Sequence, residues 1–207
     1  MTLGPRLLGA GHPGASPYGT MVVVSDDHLP TPPGSTVAPV LALLDLAAEL
    51  DVILWLDGGW GVDALLGRQT RSHDDIDIVV EERSIAQLAG RLTDAGYAEV
   101  RPNEARAWNF VLGHPSGQLI DVHVIVLDRD GNGVYGPAEN GDQYSAAALA
   151  GTGVVAGRPV RCMSPESMVA FHTGYPVDDK DWADVSKLCE EFGLVVPGDF
   201  DRWTADQ

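Results

Sequence analysis

DGGWGVDALLGRQTRSHDDIDIVV, residues 57–80, joins a glycine pair, a short apolar helix, a basic loop and an Asp-Ile-Asp strand in one run. An apolar stretch at 52–56 leads into it and reads as a short buried strand that turns sharply at Asp57-Gly58-Gly59. Residues 60–66 read as a helix stopped by Gly67, and 68–74 as a polar loop. Residues 75–80 have the composition of a strand, and the apolar Ile76, Ile78, Val79 and Val80 make it a central, buried one.

The chemistry of the run follows from this order. Asp75 and Asp77 are two apart on a strand, so both carboxylates leave the same face. Like charges that close are costly unless a cation sits between them, and magnesium takes hard oxygen ligands of this kind beside phosphates. Gly58 and Gly59 let the backbone approach a phosphate, and the helix they open offers unpaired N–H groups to an anion. A glycine pair alone indicates only a turn; its weight here comes from lying one helix before the Asp-Ile-Asp strand. Arg68, Arg71 and His73 give the loop positive charge, either to neutralise phosphate or as part of a solvated loop. A third carboxylate lies in 119–126, where Leu119, Asp121, His123 and Ile125 share one face and Ile120, Val122, Val124 and Val126 the other. Asp121 in apolar surroundings needs a charge partner, and with Asp75 and Asp77 it completes the three-carboxylate set of metal-assisted phosphoryl or nucleotidyl transfer. It is then a metal ligand, a general base toward a hydroxyl, or both. His123 is a second proton acceptor or a hydrogen-bonded core histidine. The run therefore builds a site for a magnesium-bound nucleoside triphosphate.

Outward from the run, 82–95 is a helix with Ile85, Leu88, Ala89 and Leu92 on one face and Gly96 as its stop. Strands are expected at 97–101, 108–112 and 118–127, with a turn at His114-Pro115-Ser116-Gly117. Residues 128–142 read as loop. Asp128-Arg129-Asp130-Gly131-Asn132 resembles the opening of a calcium loop, but Glu139 would have to close it, and a turn with Asx hydrogen bonds is the simpler expectation. A hairpin about Gly157 spans 154–162, Ser164 caps a helix running to His172, and the last helix spans 179–192. Upstream, Ser35 is the expected cap of a helix over 36–50, with Val40, Leu41, Leu44 and Ala47 at helical spacing. Residues 1–34, rich in Gly, Pro and Ser, read as a disordered leader, with Met1 or Met21 as the start. The expected division is therefore a leader at 1–34, a catalytic core at 35–127 and a C-terminal part at 128–207 that covers the substrate cleft.

Composition narrows the classes. Thirteen basic against 30 acidic residues leave a net charge of −17, which repels phosphate backbones and argues against nucleic acid. The same charge suits a cationic small molecule, or serves solubility. Cys162 and Cys189 have no metal-ligand spacing and fit reduced intracellular thiols. No apolar run approaches the ~20 residues of a membrane span. The expected location is the cytoplasm, with no membrane partner.

The order Gly-Gly-Trp, short helix, His-x-Asp-Ile-Asp-Ile and later third Asp resembles the polymerase-β-like nucleotidyltransferase superfamily. Within it, Trp55-Leu56-Asp57-Gly58-Gly59-Trp60-Gly61-Val62-Asp63, Leu119-Ile120-Asp121-Val122-His123 and Phe171-His172-Thr173-Gly174-Tyr175 are similar to the small lincosamide nucleotidyltransferases. Residues 156–162, AGRPVRC, resemble the aminoglycoside nucleotidyltransferases as well. The resemblance covers about residues 38–192. It implies an α/β (α+β) fold, a mixed sheet with flanking helices and a small C-terminal part. It also implies transfer of a nucleoside monophosphate, from ATP or another triphosphate, to an antibiotic hydroxyl. Asp75, Asp77 and Asp121 would be the catalytic and metal residues, holding two magnesium ions. Gly58, Gly59, Trp60, Arg71, His73 and Lys180 would meet the nucleotide. Much of the superfamily has serine where this chain has Trp60, and the antibiotic-modifying branch shares the tryptophan. Lys180 is otherwise a surface lysine paired with Asp184. The acceptor is a small, hydroxylated, cationic molecule, lincosamide or aminoglycoside. A small-molecule transferase without a resistance role, a non-catalytic nucleotide-binding module and a homodimer stay open.

Overall fold

The computed structural model describes residues 36–100 and 104–204; the expected leader, its candidate starts and Ser35 lie outside them. The first helix, α1 (Ala38–Glu49), has Val37 at its N-cap with no side-chain cap hydrogen bond, and a proline in its first turn whose fixed φ suits the helix start. Then come β1 (Leu54–Leu56), α2 (Gly58–Leu66), β2 (Asp75–Glu81), α3 (Glu82–Asp94), β3 (Ala98–Val100), β4 (Asn109–Gly113) and β5 (Leu119–Leu127). These run in sheet order β1-β2-β5-β4-β3, with β2 and β5 parallel and the other pairs antiparallel. The sheet is mixed, as expected.

Two cores explain the register. Ile76, Ile78 and Val80 of β2 and Ile120, Val122 and Val124 of β5 pack with α1 and α3 on one side. Val79 and Ile125 belong to the second core, with α4 (Pro165–Phe171) and α5 (Asp179–Phe192). Side chains alternate along a strand, so slipping β2 by one residue would drive Asp75 and Asp77 into hydrocarbon and expel isoleucines worth ~1.5–3 kcal/mol each. The hydrophobic pattern thus forces the carboxylates onto the α4/α5 side.

The sheet does not end where a loop was expected at 128–142. β6 (Gly133–Tyr135) pairs with the far end of β5, and β7 (Gln143–Tyr144) pairs with β6. The Asp128 turn has the expected Asx bonds: its Oδ1 accepts from the N–H of Asp130 at 2.8 Å and of Asn132 at 2.9 Å. A separate hairpin, β8 (Thr152–Val155) and β9 (Arg158–Arg161), turns at Ala156-Gly157 and lies on α2. Ser164 caps α4 as expected. A capping box of Asp178 and Asp181 opens α5, and the short α6 (Asp201–Thr204) closes the described chain. Among the described residues no helix is long and apolar enough to cross a membrane.

Candidate active site

The parallel pairing of β2 and β5 sets Asp77 directly beside Asp121, and Asp75 beside Leu119. With side chains alternating, Asp75, Asp77 and Asp121 share one face of the two central strands. Asp77 is 3% exposed, whereas Asp75 and Asp121 are partly open to solvent. Burial, then the charges of Asp75, Asp121 and Asp57, pushes the Asp77 carboxyl well above its ordinary range. Among the described residues no group of three or more His, Cys, Asp or Glu is gathered closely enough to hold a metal ion as it stands. The carboxylates line a face and do not form a closed cage. Their chemistry nevertheless fits a hard divalent cation, because the donors are all carboxylate oxygens and Asp77 is buried close to the like charges of Asp75 and Asp121.

The glycine pair admits side chains of the site itself. Asp57 caps α2, its Oδ1 accepting from the N–H of Gly58 at 2.9 Å. Gly58 has φ +53°, and a Cβ there would fall 2.1 Å from Asp77 Oδ2. A Cβ on Gly59 would fall 2.1 Å from His73 Nδ1. Both positions need glycine for close approach, and at Gly58 the backbone conformation needs it too. The N-terminus of α2 therefore lies against the carboxylate of Asp77. Trp60, just beyond, is 1% exposed and packs into the core beneath the turn.

The basic loop is fixed from two sides. Asp63 of α2 accepts from Thr70 N–H at 2.8 Å and Thr70 Oγ1 at 2.7 Å, and its other oxygen meets His73 Nε2. His73 is thus a buried support, its ring 4.8 Å from that of Trp60. Arg71 donates to Asp184 of α5, with Nη2 2.6 Å from Oδ2 and Nε 3.1 Å from both oxygens. Burial alone would lower the Arg71 pKa, but Asp184, Asp63 and Asp75 outweigh it and raise it. Asp184 therefore belongs to Arg71. Lys180, the expected partner of Asp184, instead pairs with Asp74 at 3.0 Å, and that hydrogen bond lowers the Asp74 carboxyl. The Arg68 side chain donates to the carbonyl of Leu66, at 3.4 Å. A small open cleft is lined by Arg71, Asp74, Asp75, His172, Asp178, Lys180 and Asp181. Arg71 and Lys180 thus meet at the cleft with Asp75, while His73 and Trp60 lie behind it.

Around Asp121, Asn109 Nδ2 donates to Oδ1 at 3.0 Å, and His123 Nε2 faces the same oxygen at 3.5 Å. His123 is buried; its Nδ1 lies 2.5 Å from the Tyr144 hydroxyl, which donates to Asp57 Oδ2 at 3.3 Å. Burial alone would lower the His123 pKa, but the Asp121 hydrogen bond and the charges of Asp121, Asp57 and Asp75 raise it. Asp57, Asp63, Asn109, Tyr144 and Asp184 were not singled out from the sequence as site residues. Asp57 had a readable signal, an N-cap residue just before a glycine-opened helix. The others are revealed only by distant partners.

Two parallel strands with this carboxylate arrangement, reached by a glycine-opened helix in a mixed sheet, define a nucleotidyltransferase of polymerase-β-like fold, and solved structures agree. The lincosamide antibiotic adenylyltransferase LnuA, bound to lincomycin, superposes with a TM-score of 0.65 at 32% identity, over 75% of this chain and 97% of that one. ANT(2")-Ia in complex with adenylyl-2"-tobramycin gives 0.60 at 26% identity, over 76% and 89%. Residues 39–188 match the aminoglycoside-2''-adenylyltransferase family model, and the chain belongs to that family. A lincosamide resistance protein of Staphylococcus haemolyticus is 34% identical over 147 residues, 70% of this chain and 89% of the relative.

Proposed function

We propose that this protein transfers the nucleoside monophosphate of magnesium-bound ATP to a hydroxyl of a lincosamide-type antibiotic, releasing pyrophosphate. The observation that carries the reading is the register that sets Asp77 beside Asp121 with Asp75 on the same face. Those three carboxylates would hold magnesium, two ions when fully loaded. Bound there, magnesium supplies the charge that steadies the triphosphate and the departing pyrophosphate. The protein's own groups do the rest. The turn at Gly58 and Gly59, which has no Cβ to bar close approach, would meet the phosphates at the start of α2, over the packing of Trp60 and His73. Arg71 and Lys180 bring positive charge to the cleft. Asp121 takes the proton of the acceptor hydroxyl as it attacks the α-phosphorus in line. On this reading the part from residue 128 onward would cover the cleft, to whose lining it contributes Asp178, Lys180 and Asp181, and the catalytic core would be the preceding part, 35–127. The enzyme would work in the cytoplasm, where ATP is made, as a monomer or a homodimer.

An aminoglycoside is the second acceptor class, favoured by the acidic side chains Asp74, Asp75, Asp178 and Asp181 around the cleft. Incubation of the purified protein with ATP, magnesium and either lincomycin or tobramycin, followed by mass spectrometry, tests both. A nucleotidyl adduct on lincomycin supports the first reading and one on tobramycin alone the second. No adduct on either drug overturns the resistance function, and calorimetry showing magnesium-ATP binding would then indicate a binding module.

A further inference from the structure

We infer that Tyr144 is a positioning residue for the reaction, holding Asp121 through His123 and tying it to Asp57 at the start of α2. The inference rests on the proposed transfer to the extent that Asp121 is its working carboxylate.

The Tyr144 hydroxyl joins two partners: it donates to Asp57 Oδ2 at 3.3 Å, and its oxygen lies 2.5 Å from His123 Nδ1. The other ring nitrogen faces Asp121 Oδ1 at 3.5 Å, the oxygen that also accepts from Asn109 at 3.0 Å. Both neighbours gather on Oδ1. At the other end Asp57 is itself fixed. Its Oδ1 caps α2 and its backbone N–H donates to the carbonyl of Asp77 at 3.0 Å. Tyr144 therefore bridges the strand that carries Asp121 and the turn that carries the glycines. Its ring is set edge-on against Tyr135 and Phe171, at centroid distances of 5.7 and 5.5 Å, so the hydroxyl has little freedom to turn away. Outer partners that orient a ligating or proton-accepting group commonly matter about 10- to 100-fold.

Tyr144→Phe keeps the ring and removes only the hydroxyl. We expect kcat for nucleotidyl transfer to fall about 10- to 100-fold, with KM for ATP within about twofold of the parent and an unchanged circular dichroism spectrum. His123→Asn, which removes the nitrogen facing Asp121, should lose a similar factor, and adding Tyr144→Phe to it should cost less than about twofold more. Wild-type kcat in folded Tyr144→Phe, or fully multiplicative losses in the double variant, overturns the inference. Should Tyr144→Phe fail to fold, wild-type kcat in His123→Asn overturns it equally. Manganese titration by calorimetry gives a readout independent of turnover, with affinity expected to weaken about tenfold in Tyr144→Phe. Absence of transfer by the wild type would count against the proposed function alone. In that event unchanged manganese affinity in the folded variant is what overturns the role of Tyr144.

Discussion

Asp77 shows what the site costs the fold. Its carboxyl is buried and pushed well above the ordinary value of 3.8, first by desolvation and then by Asp75, Asp121 and Asp57. A raised carboxyl pKa destabilises the folded state: the penalty is absent below 3.8, grows as pH rises through that value, and is complete above the folded pKa. Asp77→Asn keeps the shape and removes the charge. It should abolish transfer while raising stability at pH 7 by about 1–2 kcal/mol, or roughly 4 °C in Tm. The gain should vanish near pH 4 and, on the proposed magnesium role, shrink at pH 7 when magnesium is added, because only the wild type would then be stabilised by it. Melting curves at the two pH values check this, and a Tm equal to or below wild type at pH 7 refutes the account of Asp77. Gly58 is the complementary case. With φ +53° and 2.1 Å between a built Cβ and Asp77 Oδ2, Gly58→Ala should lose about 1–3 kcal/mol and most activity. A variant with wild-type Tm and kcat would show that the turn relaxes freely.

At the scale of elements, the cleft depends on one buried ion pair joining loop 68–74 to α5. Asp184 is 1% exposed and receives three hydrogen bonds from Arg71. Asp184→Ala strands the guanidinium in a partly buried position, and loss of one partner of a buried pair typically costs about 3–5 kcal/mol. Chemical denaturation measures it, and a loss below about 1 kcal/mol would show the pair behaving like a surface bridge. The element boundaries also separate what a sequence discloses from what it does not. β2, α3 and β5 carry long periodic patterns, so Asp75 and Asp77 read from sequence as sharing a face of one strand and Asp121 as a third carboxylate on another, while the β2–β5 register alone sets all three on one face. β6 and β7 are three and two residues long and set among Gly131, Gly136 and Gly141; only the free edge of β5 makes them strands. The pairing of Arg71 with Asp184 spans 113 residues and that of Tyr144 with Asp57 spans 87, distances over which no local spacing rule operates. Lys180 illustrates the error this produces: its helix neighbour Asp184 was the natural partner by spacing, but Asp184 is buried beneath Arg71 and Lys180 reaches Asp74 instead.

For the whole molecule the governing quantity is the net charge of −17. The cleft cations do not cancel it locally, because Arg71 pairs with Asp184 and Lys180 with Asp74, and Asp75, Asp178 and Asp181 line the same opening. A diffusing molecule therefore meets a negative potential, which on the proposed reaction would slow magnesium-ATP and attract a cationic acceptor. Salt shortens the reach of that potential to ~8 Å at physiological strength. Raising potassium chloride from low to high concentration should lower kcat/KM for the cationic acceptor by about tenfold while raising it for magnesium-ATP. The fall should be steeper for a polycationic aminoglycoside than for a lincosamide with one basic amine. Opposite slopes for the two substrates are the signature of the global field. Slopes of the same sign would assign the salt effect to stability or metal binding, and the acidity of the chain would then serve solubility and not capture of the acceptor.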